Sequence, residues 1–532
     1  MTLRMSCLLF LPLLGALTAA AQPVNNTGMN FTVVFPENIA YYHPRSAHNR
    51  IWVTALLDDT TVTFTKPSGD VTSPALSAGE MTNIFTSLEL KKNLSSEAFK
   101  VSSETFRVTS DKPIVVQAVT EKRKSVQTTL AVPADKLGMK YFIPPVPEIA
   151  GTTDEPDLNV TEKDPFRLII FNPDENNEVT VKGPTDNSVV LQPGQVAQSW
   201  VPKDQKARVV QADKPFAVFF SHPCAMQTNC TCGLLSAMLP PARNQTVRFP
   251  IPSVLAEKAQ ILLSDEGTHD IKTFNPDSAV VESSGTVILY RPGLFLTLIP
   301  ETEFAGCFLI PFVSITNTKF AIIVVLKTST NGIHIGNEAL GTQEWQDLKG
   351  TEYVSTNYTL TSNNTLIWHN SSKMAVYFVG YEGLAWFGTP APIISSTPDY
   401  RGCLMKPEKL AVLQEAEGWR ESLQSCENTG FDLISFSDTR LHEQVCNKLL
   451  PDGEQNLWIG LRRSSKSGDW YWLSGDPVNS TSWDSGEPGE VEEGQCALMS
   501  LGTSCTWRDE DCCNTHRPLC YTEPSFFNGL NN

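Results

Sequence analysis

Two stretches near the end of the chain, Trp458-Ile-Gly-Leu461 and Trp507-Arg-Asp-Glu-Asp-Cys512, decide the fold of its last part. The first joins large apolar residues to a glycine, which is typical of a buried strand packed closely against a neighbour. Around them stand Trp470-Tyr-Trp-Leu-Ser-Gly475, Trp483, Glu487-Pro-Gly489, Cys496 and Cys520. Because eight cysteines fall between positions 403 and 520, we predict a small domain held by disulfide bonds.

Two helices are predicted upstream of these strands. The run Trp419-Arg-Glu-Ser-Leu-Gln-Ser-Cys426 places Trp419, Leu423 and Cys426 on one face, because residues four and three apart share one side of a helix. Asp438 and Thr439 are suitable caps for a second helix over residues 440–450.

This ordered set resembles the C-type lectin-like domain, and the resemblance covers residues 403–522. It implies an α+β fold with two helices and a long loop, a bond between Cys426 and Cys520, and a bond between Cys496 and Cys512. Each bond is expected to contribute about 2 to 4 kcal/mol by constraining the unfolded chain. Four cysteines remain with three pairings open among them: Cys403, Cys446, Cys505 and Cys513.

The resemblance also implies a calcium site, but the ligand set is degraded. Calcium needs about 6 to 8 oxygen ligands. Glu487 and Asp509 match ligand positions, whereas Gly489 stands where an asparagine carbonyl is expected and Arg508 replaces another asparagine. A further glutamate position holds Gly494, with Glu493 one place away, so two of five ligands remain in register.

We therefore hypothesise that Arg508 takes the place of the ion by bridging Glu487 or Asp509, since a guanidinium repels a divalent cation at short range. The alternative is a non-standard calcium site, built from a dense set of loop carboxylates. These are Asp484, Glu487, Glu490, Glu492, Glu493, Asp509, Glu510 and Asp511. The candidate ligand-binding residues are Glu487, Glu493, Arg508 and Asp509, of which Glu487 and Asp509 are the candidate metal ligands. Neither Glu-Pro-Asn nor Gln-Pro-Asp is present, so the sugar preference stays open.

The larger region, residues 22–390, is predicted to be all-β. Short β-branched runs such as Thr61-Val-Thr-Phe-Thr alternate with turns such as Lys66-Pro-Ser-Gly. The strand Asp111-Lys-Pro-Ile-Val-Val returns as Asp213-Lys-Pro-Phe-Ala-Val, and more loosely from Asn317 and from Ser372. This internal repeat favours sandwich-like subdomains, with a propeller-like arrangement as the alternative.

The same region resembles the N-terminal module of IgG Fc-binding proteins. The resemblance rests on the Trp52–Val62 pattern (W-V-T-A followed by T-T-V), on the Asp111-Lys-Pro strand and on Pro133-Ala-Asp-Lys-Leu-Gly-Met-Lys-Tyr-Phe. It implies extracellular binding of proteins or glycoproteins, with immunoglobulin or mucin-like proteins as partners, and it assigns no binding residue.

Export is predicted from the N-terminus, where Arg4, an apolar run over residues 8–17 and Ala19-Ala20-Ala21 form a signal peptide, residues 1–21. The alternative is a membrane anchor, but a membrane span needs about 20 apolar residues and this run is shorter. Cleavage removes Cys7 and leaves twelve of the thirteen cysteines, an even number suited to an oxidising compartment. Ten glycosylation sequons agree with secretion: Asn25, Asn30, Asn93, Asn159, Asn229, Asn244, Asn357, Asn363, Asn370 and Asn479.

The composition argues against other classes of protein. The net charge of −17 disfavours a general nucleic-acid binder, which needs a basic face. His442-Glu-Gln-Val-Cys446 nearly matches a zinc-protease motif, but an exported Cys446 is expected to be disulfide-bonded. Cys224, Cys230, Cys232 and Cys307 form a second cysteine group, in which the first three are expected to make a structural knot.

These observations predict a secreted, non-enzymatic recognition protein that binds glycans or glycoproteins, in innate defence or mucus. The alternative is a structural component of a secretion whose lectin-like domain does not bind sugar. We expect a β-rich module over residues 22–390, a linker over 391–402, a lectin-like domain over 403–522 and a tail over 523–532.

Overall fold

The structure is a computed structural model, and it falls into two compact units: Met1–Cys403 with Phe527–Asn532, and Leu404–Phe526. No helix among the described residues is long and apolar enough to cross a membrane. The predicted signal peptide lies outside these residues. The structure describes residues 26–40, 46–90, 98–122, 125–147, 149, 166–203, 206–228, 231–256, 258–266, 269–310, 318–361, 365–382, 385–436, 438–450, 455–479, 481–490, 494–502 and 505–527.

The described residues of the larger unit form four consecutive versions of one antiparallel sheet, here called repeats A to D. Each sheet has an outer strand, a second strand, a long strand and an inner strand, in that spatial order. In repeat A these are Met81–Thr86, His48–Ala55, Phe106–Lys122 and Ser125–Leu130; in repeat B, Val196–Val201, Phe166–Phe171, Val209–Thr228 and Thr231–Met238. In repeat C they are His269–Thr273, Gln260–Ser264, Thr286–Arg291 and Leu294–Thr297; in repeat D, Tyr353–Thr359, Thr318–Leu326, Met374–Glu382 and Ala385–Pro390.

Each repeat opens with a strand that pairs with the start of the long strand or with a short strand just before it. The opening strands are Gly28–Val33, Gly138–Phe142, Val247–Pro250 and Cys307–Ile310, and the short strands in repeats C and D are Val280–Ser283 and Thr365–His369. Side strands are Thr60–Thr65, Val71–Thr72, Ala75–Leu76, Lys100–Ser102, Asn177–Lys182, Asn187–Leu191, Ile333–Ile335, Glu338–Ala339, Gln346–Asp347 and Ile393–Ser395. The helical turns are Ala134–Lys136, Ser253–Ala256, Glu301–Glu303 and Lys327–Ser329.

The repeats agree in register as well as in strand order. Gly28 pairs with Ile114, three residues beyond Asp111, and Gly138 pairs with Phe216, three residues beyond Asp213. Both opening strands have a register shift directly after that glycine. The same backbone hydrogen bond follows every inner strand: Ala131 N to Val116 O, Leu239 N to Val218 O, Leu298 N to Val287 O and Ala391 N to Val376 O, at 2.8–3.0 Å.

The four inner strands form a closed ring, because A contacts B, B contacts C, C contacts D and D contacts A. Gln127 Nε2 donates to Ser236 O at 3.1 Å and so links the inner strands of A and B. Sheets arranged radially around one axis are the architecture of a β-propeller. The predicted all-β class is therefore confirmed, and within it the propeller-like alternative describes the sheets better than the preferred sandwich.

The predicted exposed linker, residues 391–402, differs from the structure at its start. Ile393–Ser395 is a buried strand paired with the opening strand of repeat D, because Ile393 packs into the apolar core and Ile394 is also buried. Cys403, expected to pair inside the lectin-like region, instead bonds Cys307 of the larger unit. The sequence did not indicate this pairing, since neither family resemblance supplies a disulfide framework that includes both residues.

In the described part of the smaller unit, two helices, Trp419–Asn428 and Thr439–Leu449, pack against a mixed sheet. Asp438 caps the second helix by accepting a hydrogen bond from Leu441 N at 2.7 Å. Trp419 and Cys426 are buried on the predicted face of the first helix. The strands are Leu404–Lys406, Lys409–Val412, Asp432–Leu433, Gln455–Arg463, Trp470–Trp472, Cys496–Leu501, Thr506–Glu510, Arg517–Thr522 and Ser525–Phe526.

Disulfide bonds tie this unit together. The structure joins Cys426 to Cys520 and Cys496 to Cys512, the two pairs that the resemblance implies, and it joins Cys446 to Cys505. Cys513 is exposed and has no disulfide partner among the described residues. In the larger unit Cys224 bonds Cys232, whereas Cys230 lies outside the described residues.

Candidate functional site

The candidate site lies where the long loop of the smaller unit meets the strand Thr506–Glu510. The loop returns to this strand through backbone hydrogen bonds from Trp507 N to Ser482 O at 2.8 Å and from Asp484 N to Trp507 O at 2.9 Å. Trp507 is buried against Trp483 and Trp472. This aromatic support brings Glu487 beside Arg508 and Asp509.

Three polar contacts define the geometry of the site. Arg508 Nε lies 3.5 Å from Glu487 Oε1, and their side chains are 50% and 20% exposed. Gly489 N donates to Asp509 Oδ1 at 2.8 Å. Arg463 Nη1 donates to Gly489 O at 3.4 Å. Both retained carboxylates are therefore engaged by groups of the chain itself, and the cation is Arg508.

The two carboxylates also act on each other. Hydrogen bonding to Asp509, partial burial and the charge of Asp509 raise the pKa of Glu487, while a backbone hydrogen bond and Arg508 oppose the shift. Glu487 and Asp509 therefore lie at one site, with the Arg508 guanidinium beside Glu487.

The described residues do not fit a calcium ion, which needs about 6 to 8 oxygens. At position 489 glycine has no side-chain carbonyl to offer an ion, and its backbone N–H donates a hydrogen bond to Asp509 Oδ1. A Cβ at Gly494 would lie 2.5 Å from Glu510 N, so the expected glutamate cannot be accommodated there. No group of three or more histidine, cysteine, aspartate or glutamate side chains suited to a metal occurs in the described ranges. Glu492 and Glu493 lie outside them.

Arg463 belongs to this site and was missed by sequence reasoning. Its guanidinium lies 5.8 Å from the ring centre of Trp470, and its Nε donates to Gly468 O at 3.1 Å. Arg463 stands two residues after the Trp458-Ile-Gly-Leu461 motif, and this position in the sequence could have identified it as a candidate. Arg463 fixes the loop backbone next to Asp509.

The near match to a zinc-protease motif is a structural feature here. Cys446 is held by Cys505, and His442 Nε2 contacts Cys505 O at 3.0 Å. Burial lowers the pKa of His442, whose ring packs edge-on against Phe436. These contacts place His442 in the core beside the disulfide.

Five sequons fall on described residues. Asn244, Asn357 and Asn479 are exposed, whereas Asn30 and Asn370 are partly buried and hydrogen-bonded through their side chains. The other five, Asn25, Asn93, Asn159, Asn229 and Asn363, lie outside the described residues.

Comparison with known proteins matches a family model to each of the two parts of the chain. The family model "Lectin C-type domain" matches residues 415–522, and "IgGFc binding protein" matches residues 18–380. The chain is 34% identical to human C-type mannose receptor 2 over 113 residues, which are 21% of this chain and 8% of the receptor. It is 39% identical to the C-type lectin lectoxin-Phi1 of Philodryas olfersii over 114 residues, 20% of this chain and 73% of that protein.

Among solved structures, human lithostathine is similar at 25% sequence identity with a TM-score of 0.21, over 22% of this chain and 85% of that chain. The chain spans about 8% of the length of the mannose receptors that it matches. The match to the IgGFc family covers more than half of the chain. The chain therefore belongs to the IgGFc-binding protein family and carries a C-type lectin domain after the family's module.

Proposed function

We propose that the protein is a secreted, non-enzymatic recognition protein whose C-type lectin domain binds a glycan or glycoprotein without calcium. C-type lectin relatives support a carbohydrate-binding function, and lectin and IgGFc-binding families are typically not enzymes. The observation that carries the calcium-independent part is the contact between Arg508 Nε and Glu487 Oε1.

Arg508 is suited to polar recognition because a guanidinium offers five N–H donors in a planar fork. Only its Nε contacts Glu487, and half of its side chain is exposed. The flanking Glu487 accepts hydrogen bonds, so the pair presents donors and acceptors side by side. Sugar hydroxyls and acidic sugar groups can use such an arrangement.

The extracellular setting rests on the sequence, through the signal peptide, the sequons and the disulfide-rich composition. Family membership suggests immunoglobulin or mucin-like proteins as partners of the larger unit. A role in innate defence or mucus follows from the same reasoning and is part of this proposal.

A glycan array tests the proposal, with the whole protein probed with and without a calcium chelator. We expect chelator-insensitive binding that Arg508→Ala removes and that Arg420→Ala, a change at an exposed arginine of the first helix, leaves intact. Binding abolished by the chelator would contradict the calcium-independent mechanism. If the protein binds neither the arrayed glycans nor glycoproteins, a structural role is favoured.

A further inference from the structure

The outer strands of the four repeats differ in how their free edges are protected. An edge strand exposes unpaired N–H and C=O groups, and proteins normally cover or charge such edges. In repeat B, Lys100–Ser102 pairs with residues 196–198 of the outer strand. In repeat D, Gln346–Asp347 pairs with part of the outer strand, and the rest carries the sequon at Asn357. In repeat C, the outer strand His269–Thr273 holds an aspartate and a lysine.

The outer strand of repeat A, Met81–Thr86, has none of these devices. Its sequence, Met-Thr-Asn-Ile-Phe-Thr, contains no charge, no proline and no sequon. Within the described part of the chain it pairs with His48–Ala55 on one side and with no strand on the other. Phe85 is 53% exposed and Asn83 is also exposed, so an apolar ring stands at an open edge.

The hydrogen-bond pattern shows which backbone groups face outward. Ala55 N donates to Glu80 O, and antiparallel pairs alternate between bonded and non-bonded positions. Thr82, Ile84 and Thr86 therefore bond inward to the second strand, opposite Val53, Ile51 and Asn49. The N–H and C=O groups of Met81, Asn83 and Phe85 point to the free side.

We propose that Met81–Thr86 pairs antiparallel with the same strand of a second copy of this chain. In the matching register Asn83 lies opposite Asn83 of the second copy, and Met81 lies opposite Phe85. This register places every outward-facing residue opposite another, which allows about six backbone hydrogen bonds across the two-fold axis. It also covers each exposed Phe85 ring with a methionine, and it brings no like charges together.

Repeat B supplies the precedent for an added strand at this position. By register, residues 196–198 correspond to residues 81–83, and Trp200 corresponds to Phe85. Lys100–Ser102 occupies that edge in an antiparallel arrangement. The outer strand of this repeat therefore accepts a further strand without distortion of the sheet, and repeat A is the version that this chain leaves open.

Sedimentation of the whole protein across a concentration series tests the pairing. We expect the wild type to dimerise and Asn83→Lys to weaken the association constant at least about tenfold, because two lysines would then face each other. Thr273→Lys, which places a lysine at an exposed position of the outer strand of repeat C, should leave the association constant unchanged. A wild type that stays monomeric, or a dimer equally strong in Asn83→Lys, would overturn the proposal.

A disulfide trap tests the register itself, with Cys513→Ser as the background to remove the exposed native thiol. Opposed Cα atoms in a bonded pair lie about 5.5 Å apart, within the span of a disulfide. Asn83→Cys should therefore form a covalent dimer under mild oxidation. Met81→Cys should not, because its counterpart is about 13 Å away. Equal cross-linking of both variants would rule out this register.

Discussion

Loss of the Glu37 carboxylate is expected to destabilise the larger unit by about 3 to 5 kcal/mol, the usual cost of leaving one partner of a buried ion pair alone. Arg167 Nη1 lies 3.0 Å from Glu37 Oε2, and the side chains are 3% and 14% exposed. The pair joins repeat B to repeat A. Glu37→Gln keeps the shape of the side chain but removes the charged partner of the buried Arg167 cation.

A second ion pair between the same repeats serves as the matched control. Arg107 Nη2 lies 3.1 Å from Asp174 Oδ1, but these side chains are 52% and 44% exposed. Exposed pairs contribute about 0 to 1 kcal/mol because water and salt screen them. Asp174→Asn should therefore change the free energy of unfolding by at most about 1 kcal/mol.

Thermal unfolding followed by calorimetry measures both changes. With an unfolding entropy of about 2.1 cal/mol/K per residue over about 380 residues, each kcal/mol shifts Tm by about 1.3 °C. Glu37→Gln should lower the Tm of the larger unit by about 4 to 6 °C, and Asp174→Asn by about 1 °C or less. Equal shifts for the two variants would refute the assignment of the buried pair as the main electrostatic link.

Three further predictions concern stability. Burial lowers the pKa of His369 below its ordinary value of 6.5. Its contribution to folding stability is therefore fully present above pH 6.5 and is lost as the pH falls toward the folded-state pKa. His369→Gln should flatten the Tm–pH profile between pH 7 and 5. Gly28→Ala should lower the Tm because the new Cβ would lie 2.3 Å from a proline, whereas Gly341→Ala, with no atom within 4 Å, should not. Cys505→Ala should cost the smaller unit about 2 to 5 kcal/mol in denaturant unfolding, whereas Cys513→Ser should change it by less than about 0.5 kcal/mol.

The sequence predicts the first two repeats because the Asp-Lys-Pro segment recurs at the same irregularity of the two long strands. Asp111 and Asp213 begin equivalent halves of the two long strands. The strand predicted from Ser372 occupies the matching place in repeat D, but the one after Asn317 is the second strand of that repeat. Repeat C lacks the motif, so its long strand, Thr286–Arg291, is recognised only from its pairing with Gln260–Ser264 and Leu294–Thr297.

For the candidate site, the sequence predicts the residues but not how they share contacts. Glu487, Arg508 and Asp509 lie close together. The Arg508 guanidinium contacts Glu487, and Gly489 N donates a hydrogen bond to Asp509. That choice depends on the path of the loop backbone, which Arg463 and the buried tryptophans determine. Short motifs carry no information on such backbone contacts.

The most direct test of calcium-independent recognition is a calorimetric titration of the whole protein with Ca²⁺. We predict no saturable binding at the lectin domain, because Arg508 and Gly489 N already engage its two retained carboxylates. The double variant Gly489→Asn with Arg508→Asn restores two ligand positions and is expected to gain affinity. Saturable binding to the wild type that Glu487→Gln abolishes would contradict the account.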